Sequence, residues 1–233
     1  MTFDLTALQA DNLARWQRAG LTRDFSAVAR RLTASKTRYQ GVLARTGVPW
    51  HVIAVIHERE CSQSWTASLA QGDRWDRVSV HVPAGRGPFT SWEDAAVDAL
   101  INCAPYAARW KDWSIGGTLT LLEQYNGLGY ARRGVPSPYL WAGTDQYRSG
   151  KYVRDGVYDP DVVDKQLGCA GLLLAMKALD GSIFPTTASV PSVQPPSAAT
   201  PSPRPSITNP AKGSIGDLVA SLVRAVVLTF KRS

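Results

Sequence analysis

The stretch Val52-Ile53-Ala54-Val55-Ile56-His57-Glu58-Arg59-Glu60-Cys61-Ser62 decides the fold, because an apolar helical run ends in it on a carboxylate. Val52 and Ile56 are four residues apart, as on one face of a helix, and Glu60 continues that spacing. We therefore expect Glu60 on the core face, and Glu58 facing solvent or a neighbouring basic side chain. A carboxyl group held against a core beside a polar loop has a raised pKa, as a general acid needs. The alternative is that Glu60 only ends a core helix and pairs with an arginine.

The composition is that of a globular chain with a basic balance. Its 233 residues are 44% hydrophobic, which suffices for one well-buried domain with appendages, and its formal net charge is +7. A net charge of +4 falls in residues 185–233. Basic charge favours an anionic partner, such as nucleic acid, a membrane surface or an acidic cell-wall polymer. The sequence has no helix-turn-helix, zinc-finger or aromatic RNA-binding pattern, so we expect no nucleic-acid partner.

The cysteines and the N-terminus bear on the compartment and on cofactors. Cys61, Cys103 and Cys169 form no close pair and lack metal-ligand spacing, so they are predicted to be reduced core thiols. Met1-Thr2-Phe3-Asp4-Leu5 carries an early acid and no apolar segment, so no secretory signal peptide is expected. We therefore expect the protein to be made in the cytoplasm. No metal or other cofactor is implied by any motif.

Outward from the Glu60 helix, the chain divides into four parts. Residues 1–46 are predicted to form two or three N-terminal helices that pack on the domain of residues 47–184. Residues 185–212 are almost wholly Pro, Ser, Thr and Ala and predict an unstructured linker. Residues 213–233 predict a basic amphipathic helix suited to contact with an anionic membrane or envelope.

Within residues 47–184, several local signals predict further elements. The alternation Val78-Ser79-Val80-His81-Val82, among glycines and prolines, predicts a loop with a small strand or hairpin. Thr90-Ser91-Trp92-Glu93 has the spacing of a capping box before a helix. A helix is expected from near Ser114 or Gly117 to Tyr125, and a last core helix from Pro160 to Ala178. The fold class expected is mainly α, with a small β-hairpin or loop lobe.

Two motifs resemble one family. Ile56-His57-Glu58-Arg59-Glu60-Cys61-Ser62 resembles the helix that carries the catalytic glutamate in goose-type lysozymes and soluble lytic transglycosylases. Gln124-Tyr125-Asn126-Gly127-Leu128-Gly129 resembles the Ala-Tyr-Asn-x-Gly-x-Gly segment of the same superfamily. Cys61 and Gly127 depart from its usual serine and alanine. The likeness extends from about Val48 to Leu174, is closest to lysozyme-like proteins of phages and prophages, and implies a lysozyme-like helical domain.

The resemblance implies a peptidoglycan hydrolase that cleaves the β-1,4 bond between N-acetylmuramic acid and N-acetylglucosamine, with Glu60 as general acid. Its second carboxylate is assigned to Asp73 in the turn Gln71-Gly72-Asp73, with Asp76 as runner-up, although Asp73 is otherwise a simple turn former. Ser79, six residues after Asp73, corresponds to a threonine that helps to hold water in phage-type lysozymes.

Other side chains are candidates for lining a glycan cleft. The resemblance places Tyr125 and Asn126 there, with Asn126 donating to an N-acetyl group; the alternative is that they only end a helix. Trp141, Gln146 and Tyr147 lie in an aromatic loop region and are candidates for stacking and hydrogen bonding with sugar rings, although aromatic loop residues more often pack locally. His81 is interpreted as a hydrogen-bonded strand residue rather than a catalytic one.

Four functions remain open on the sequence. The first is a muramidase or endolysin acting on peptidoglycan glycan strands, made in the host cytoplasm and then acting in the periplasm if it is phage-encoded. The second is a lytic transglycosylase that leaves anhydro ends, which is expected if Asp73 is not near Glu60. The third is a chitinase or chitosanase on the same fold. The fourth is a non-catalytic protein that binds cell wall or disrupts membranes.

Overall fold

A computed structural model describes residues 4–185 of the chain. The predicted linker, apart from Pro185, and the predicted amphipathic helix of residues 213–233 lie outside the described residues.

Helices predominate, and they are α1 Leu5–Arg18, α2 Ser26–Ala34, α3 Lys36–Thr46, α4 Trp50–Cys61, α5 Trp92–Asn102, α6 Ile115–Tyr125, α7 Gly129–Arg133, α8 Pro138–Trp141 and α9 Cys169–Leu179. A single turn of 3-10 helix covers Ala107–Arg109. Strands β1 Lys151–Arg154 and β2 Val157–Asp159 form an antiparallel hairpin, so the mainly-α class with a small β part is confirmed.

Helix α4 lies at the centre of the domain. Every residue from Trp50 to Arg59 is buried, because α2, α3 and α9 all pack against α4. A helix that is surrounded in this way is apolar on all sides rather than along one stripe. The run Val52-Ile53-Ala54-Val55-Ile56 supplies this apolar surface, and each of its residues is fully buried.

The N-terminal segment forms three helices that pack on the rest of the domain. Helix α1 packs along α6, α2 packs on α9 and α4, and α3 packs on α4 and α5. Asp4 caps α1 by accepting hydrogen bonds from the Thr6 and Ala7 N–H groups at 2.9 and 3.1 Å. The prediction of two or three helices in this segment is confirmed, and the segment has three.

The predicted strand at Val78–Val82 is wrong. Val78, Val80 and Val82 are 55%, 77% and 71% exposed, whereas Ser79 between them is buried. The segment has no strand partner, since its N–H groups at positions 80 and 81 donate to the Asp73 carboxylate instead. A polar side chain thus satisfies the backbone that a neighbouring strand would otherwise pair.

Two predicted helix boundaries also differ from the structure. The last core helix begins at Cys169 and not at Pro160, because Asp164 accepts from the Gln166 N–H at 3.1 Å and holds residues 160–168 in a non-helical path. Helix α5 is capped by Ser91, which accepts from the Asp94 N–H at 3.1 Å, and the expected pairing of Thr90 with Glu93 is replaced by one between Thr90 and Asp94.

All three cysteines are free thiols, as predicted. Cys103 and Cys169 are buried and Cys61 is half-buried. Within residues 4–185, no helix has the length and apolar character needed to cross a bilayer.

Candidate functional site

Glu60 lies in the last turn of α4, where the helix leaves the core. It is half-buried, in contrast to the ten buried residues before it. The Tyr139 hydroxyl donates to Glu60 Oε1 at 2.8 Å. Burial, together with the nearby charge of Glu60, raises the pKa of Tyr139 well above its usual value, so the phenol stays protonated as a donor. The structure therefore places at the helix end a partly accessible carboxyl group that is held by a buried phenol.

The backbone at the end of α4 fixes this turn. Ser62 and Gln63 both adopt left-handed conformations, with φ of 52° and 57°. Their N–H groups donate to Glu58 O at 2.9 Å and to His57 O at 3.1 Å, which satisfies carbonyls that a helix end leaves free. Two consecutive non-glycine residues in this region are unfavourable, and they persist only where the surrounding contacts determine the path.

The segment of residues 160–168 closes the same helix end from the other side. Gln166 Nε2 donates to the carbonyls of Glu58 and Arg59 at 3.1 and 3.0 Å. Asp164 pairs with Arg59 at 3.2 Å and with Lys151 at 3.1 Å. Burial alone would raise the pKa of Asp164, but Arg59, the Gln166 N–H and Lys151 outweigh it and lower that pKa. Asp164 is therefore a buried anion between two cations, directly beside the turn that carries Glu60.

Glu58 differs from the prediction in its exposure. It is buried at 8% exposed, because α2 packs over this side of α4. The basic neighbour is confirmed, since Arg31 of α2 lies 3.8 Å from the Glu58 carboxylate. Burial raises the pKa of Glu58, against the opposing effects of Arg31 and Arg59. The burial of the two glutamates is thus the reverse of what their spacing predicts, since Glu58 is more deeply buried than Glu60.

Asp73 is held entirely by its own loop. Its Oδ2 accepts from the Val80 and His81 N–H groups, both at 2.9 Å, and its Oδ1 is 2.6 Å from His81 Nδ1. Partial burial acts to raise the pKa of Asp73, but the hydrogen bonds from His81 and Val80 outweigh it and lower the pKa. The carboxylate is therefore ionised near neutral pH, and it already accepts three hydrogen bonds from its own loop.

The other candidates in this loop also have structural partners. Asp76 is exposed and pairs with Arg74, with two N–O distances of 2.9 and 2.5 Å. Ser79 is buried, and its hydroxyl donates to Pro83 O at 3.0 Å and accepts from the Arg86 N–H at 2.9 Å. His81, predicted as a strand residue, lies in an exposed loop and serves as a partner of Asp73.

Tyr125 and Asn126 end α6, as the structural alternative predicted, and each also links two elements. The Tyr125 hydroxyl donates to Leu69 O at 3.0 Å, in the loop that continues to Asp73. Asn126 Nδ2 is 3.4 Å from Ser137 Oγ, at the residue before α8. The C-terminal end of α6 therefore contacts both the loop of Asp73 and the segment that begins the helix of Tyr139.

The aromatic loop region packs inward more than predicted. Trp141 is 1% exposed and Tyr147 is 8% exposed, so neither offers a free face for stacking on a sugar. The Tyr147 hydroxyl donates to Gly150 O and accepts from the Asp164 N–H, both at 3.1 Å. Gln146 accepts from Arg18 at 3.0 Å and donates to Asp145 at 2.9 Å. These contacts are structural, and Tyr147 supports the segment that holds Arg59.

Sequence pattern does not identify Tyr139, Arg59, Asp164 or Gln166 as site residues. Residue spacing does not pair residue 139 with residue 60. Their roles depend on contacts between segments about 80 to 110 positions apart in the chain, which local pattern does not carry.

Comparisons with protein families, curated proteins and solved structures found no match for this chain. Among residues 4–185, no three His, Cys, Asp or Glu side chains are grouped as metal ligands.

Proposed function

We propose that the protein is a peptidoglycan hydrolase that cleaves the β-1,4 bond between N-acetylmuramic acid and N-acetylglucosamine, with Glu60 as the general acid. The observation that carries this proposal is the carboxyl group at the end of the buried helix α4, partly accessible and bound at one oxygen by the Tyr139 phenol. It agrees with the resemblance of residues 56–62 and 124–129 to goose-type lysozymes and lytic transglycosylases.

In this mechanism, the Glu60 carboxyl gives its proton to the glycosidic oxygen as the bond breaks. Positive charge develops on the sugar that loses the oxygen, and a nearby ionised carboxylate stabilises it or activates a water. Asp73 is proposed for that second role because its lowered pKa keeps it ionised at neutral pH. The hydrogen bond from Tyr139 to Oε1 of Glu60 orients the carboxyl group for the proton transfer.

The hydrogen bonds of Asp73 favour a second candidate, a lytic transglycosylase. Asp73 accepts three hydrogen bonds within its own loop, and a carboxylate so engaged is a poorer base for water. In a transglycosylase the hydroxyl group of the sugar itself attacks instead of water, and the product carries an anhydro end. The two candidates share Glu60 as the acid and differ only in the attacking oxygen.

Asn126, half-buried at the end of α6, is proposed to line the glycan cleft. Tyr125 is 4% exposed and donates to Leu69 O, so it is proposed to support the cleft without contacting glycan. Ser79, Gln146 and Tyr147 are proposed to act indirectly, because each is occupied with contacts inside the protein. The proposed setting is cell-wall degradation by a phage or prophage endolysin made in the cytoplasm, with residues 213–233 contacting an anionic membrane or envelope.

The test uses the full chain on purified peptidoglycan, with mass analysis of the released fragments. Wild type is expected to release disaccharide-peptides, and Glu60→Gln is expected to lower the rate at least about 100-fold, the usual size of a general-acid contribution. Reducing and anhydro ends differ in mass by one water and therefore separate hydrolase from transglycosylase. Chitin oligosaccharides offered in parallel test the chitinase alternative.

Glu58→Gln is the matched control, since it makes the same chemical change two residues earlier at a buried position. It is expected to keep near wild-type activity, because Glu58 is buried beside Arg31 of α2 and is not the accessible carboxyl group at the helix end. Undiminished clearing by Glu60→Gln would overturn the role of Glu60. Glycan binding without any released fragment would identify a non-catalytic wall-binding protein instead.

A further inference from the structure

A cavity of about 410 Å³ lies between α1, α6 and the segment that leads into α8. Its lining is mixed, with apolar walls from Leu8, Val135, Pro136 and Trp141 and polar groups from Asn12 and Glu123. None of Glu60, Asp73, Tyr125 and Asn126 lines it, so it is a separate feature from the candidate active site.

Glu123 is the unusual group of this cavity. It is only 2% exposed, and its Oε1 has no hydrogen-bond partner among the described residues. Burial raises the pKa of Glu123 to about 8, against the opposing effects of a hydrogen bond from Ser137 and the charge of Arg15. A buried acceptor without a partner costs free energy, which a ligand that donates to it would recover.

The charged residues around the cavity determine which ligand charge it favours. Asp4 and Asp11 stand at the exposed mouth on α1, and Arg15 is the cation of the lining. Arg15 is already paired with Asp11 at 2.8 Å. The segment of residues 135–137 and Trp141 bring no titratable group. Arg132 and Arg133 of α7 are exposed and do not line the cavity, and neither do Tyr139 of α8 or Cys169 and Lys177 of α9. The lining is therefore net negative even when Glu123 is uncharged, and it disfavours anions.

We propose that this cavity binds a primary ammonium group carried on a short alkyl chain, with Glu123 as its counter-ion. The apolar walls contact the alkyl part, and the unpartnered Glu123 oxygen accepts a hydrogen bond from the ammonium group. Binding converts Glu123 from carboxylic acid to carboxylate, and its proton is released to solvent while the ammonium group keeps its own. Such a group occurs on a free alkylamine and on a lysine side chain.

Calorimetric titration of the full chain with n-butylammonium chloride tests the proposal. At pH 6.5, in two buffers of different ionisation enthalpy, release of nearly one proton per bound ligand is expected. Affinity at pH 9 is expected to be about 30-fold higher than at pH 6.5, because Glu123 is then already ionised while an alkylammonium remains charged. Nα-acetyl-lysine amide in place of n-butylammonium distinguishes a lysine side chain from a free amine.

Glu123→Gln is expected to abolish proton release and to make affinity independent of pH. Glu58→Gln, the same change at another buried glutamate, is expected to leave both unchanged. Binding of n-butanol with the same affinity as n-butylammonium would overturn the proposal, and so would pH-independent binding by wild type. It would also be overturned if neither amine bound at about 10 mM, a concentration tenfold above the Kd of a millimolar site. If Glu123→Gln does not fold, the wild-type proton release and pH dependence still decide the matter.

Discussion

The two carboxylates proposed for the active site are held in different ways. Glu60 receives its hydrogen bond from Tyr139, 79 positions later in the chain, whereas Asp73 receives its hydrogen bonds from residues seven and eight positions later. The position of Asp73 is therefore a property of one loop. The hydrogen bond of Glu60 depends on α8, which packs on α6 and α9 and brings Tyr139 to the end of α4, so Tyr139 is a positioning residue for the proposed acid.

Tyr139→Phe is expected to lower kcat on peptidoglycan about tenfold and to leave KM nearly unchanged. The hydroxyl of Tyr139 touches Glu60 but lies in a buried side chain, so its loss affects the orientation of the acid rather than the binding of glycan. Initial rates over a range of substrate concentrations measure this split.

Tyr130→Phe provides the control for this substitution. Tyr130 is also buried, and its hydroxyl accepts from the Tyr152 N–H at 3.0 Å in the hairpin, away from Glu60. Activity is expected to stay at the wild-type level in this variant. A change in KM alone for Tyr139→Phe, or equal losses in both variants, would contradict the positioning role.

At the scale of elements, the end of α4 is completed by a segment that is not itself helical. Residues 160–168 bring Gln166 to two helix carbonyls and Asp164 to Arg59, so the segment caps the helix and neutralises its last arginine. A helix end inside a protein needs such partners, because its final carbonyl groups lack donors within the helix. This arrangement makes the stability of the domain sensitive to Asp164.

Asp164→Ala is expected to lower the free energy of unfolding by about 3–5 kcal/mol, because it leaves Arg59 buried without its anion and removes the partner of Lys151. Urea unfolding followed by circular dichroism measures the change. Asp161→Ala, at an exposed position of the same segment, is expected to stay within about 0.5 kcal/mol of wild type. A loss below about 1 kcal/mol for Asp164→Ala would show that the pair adds little.

The sequence predicted those elements whose cause is local. The three N-terminal helices, α4 and the helix ending at Tyr125 follow from apolar periodicity and from breakers such as Gly47 and Gly127. The strand at Val78–Val82 and the helix from Pro160 were wrong because Asp73 and Asp164 bind backbone N–H groups there. Whether an aspartate turns inward to do so depends on tertiary contacts that periodicity does not report.

The residues of the candidate site also differ in whether local sequence is enough to identify them. Glu60 was identified from its place after an apolar run, whereas Tyr139, Arg59 and Asp164 required the fold. The exchange of burial between Glu58 and Glu60 has the same origin, since helices on several sides of α4 remove the single apolar face on which the spacing argument relied.

At the scale of the whole molecule, buried groups with shifted pKa values set how stability depends on pH. Burial lowers the pKa of His51 and of His57 to about 4, so both are neutral in the folded protein. Between pH 6.5 and 4 the unfolded chain binds a proton at each of them that the folded chain does not. Their contribution, on the order of 3 kcal/mol each, is thus complete above pH 6.5 and is lost as the pH falls towards 4.

Glu123 acts with the opposite sign. Its pKa is raised from 4.5 to about 8, so its contribution is complete below pH 4.5 and is lost as the pH rises through 8. Between pH 6.5 and 8 the loss at Glu123, about 1.7 kcal/mol, exceeds the remaining gain of about 0.4 kcal/mol at each histidine, so wild type is expected to lose about 1 kcal/mol of unfolding free energy. Urea unfolding of the full chain at several pH values measures this loss. Glu123→Gln is expected to remove it, whereas Asp145→Asn, exposed and with a lowered pKa, is expected to retain it. A loss of equal size in Glu123→Gln would assign the alkaline slope to another group and would contradict the uncharged state of Glu123 on which the ammonium site depends.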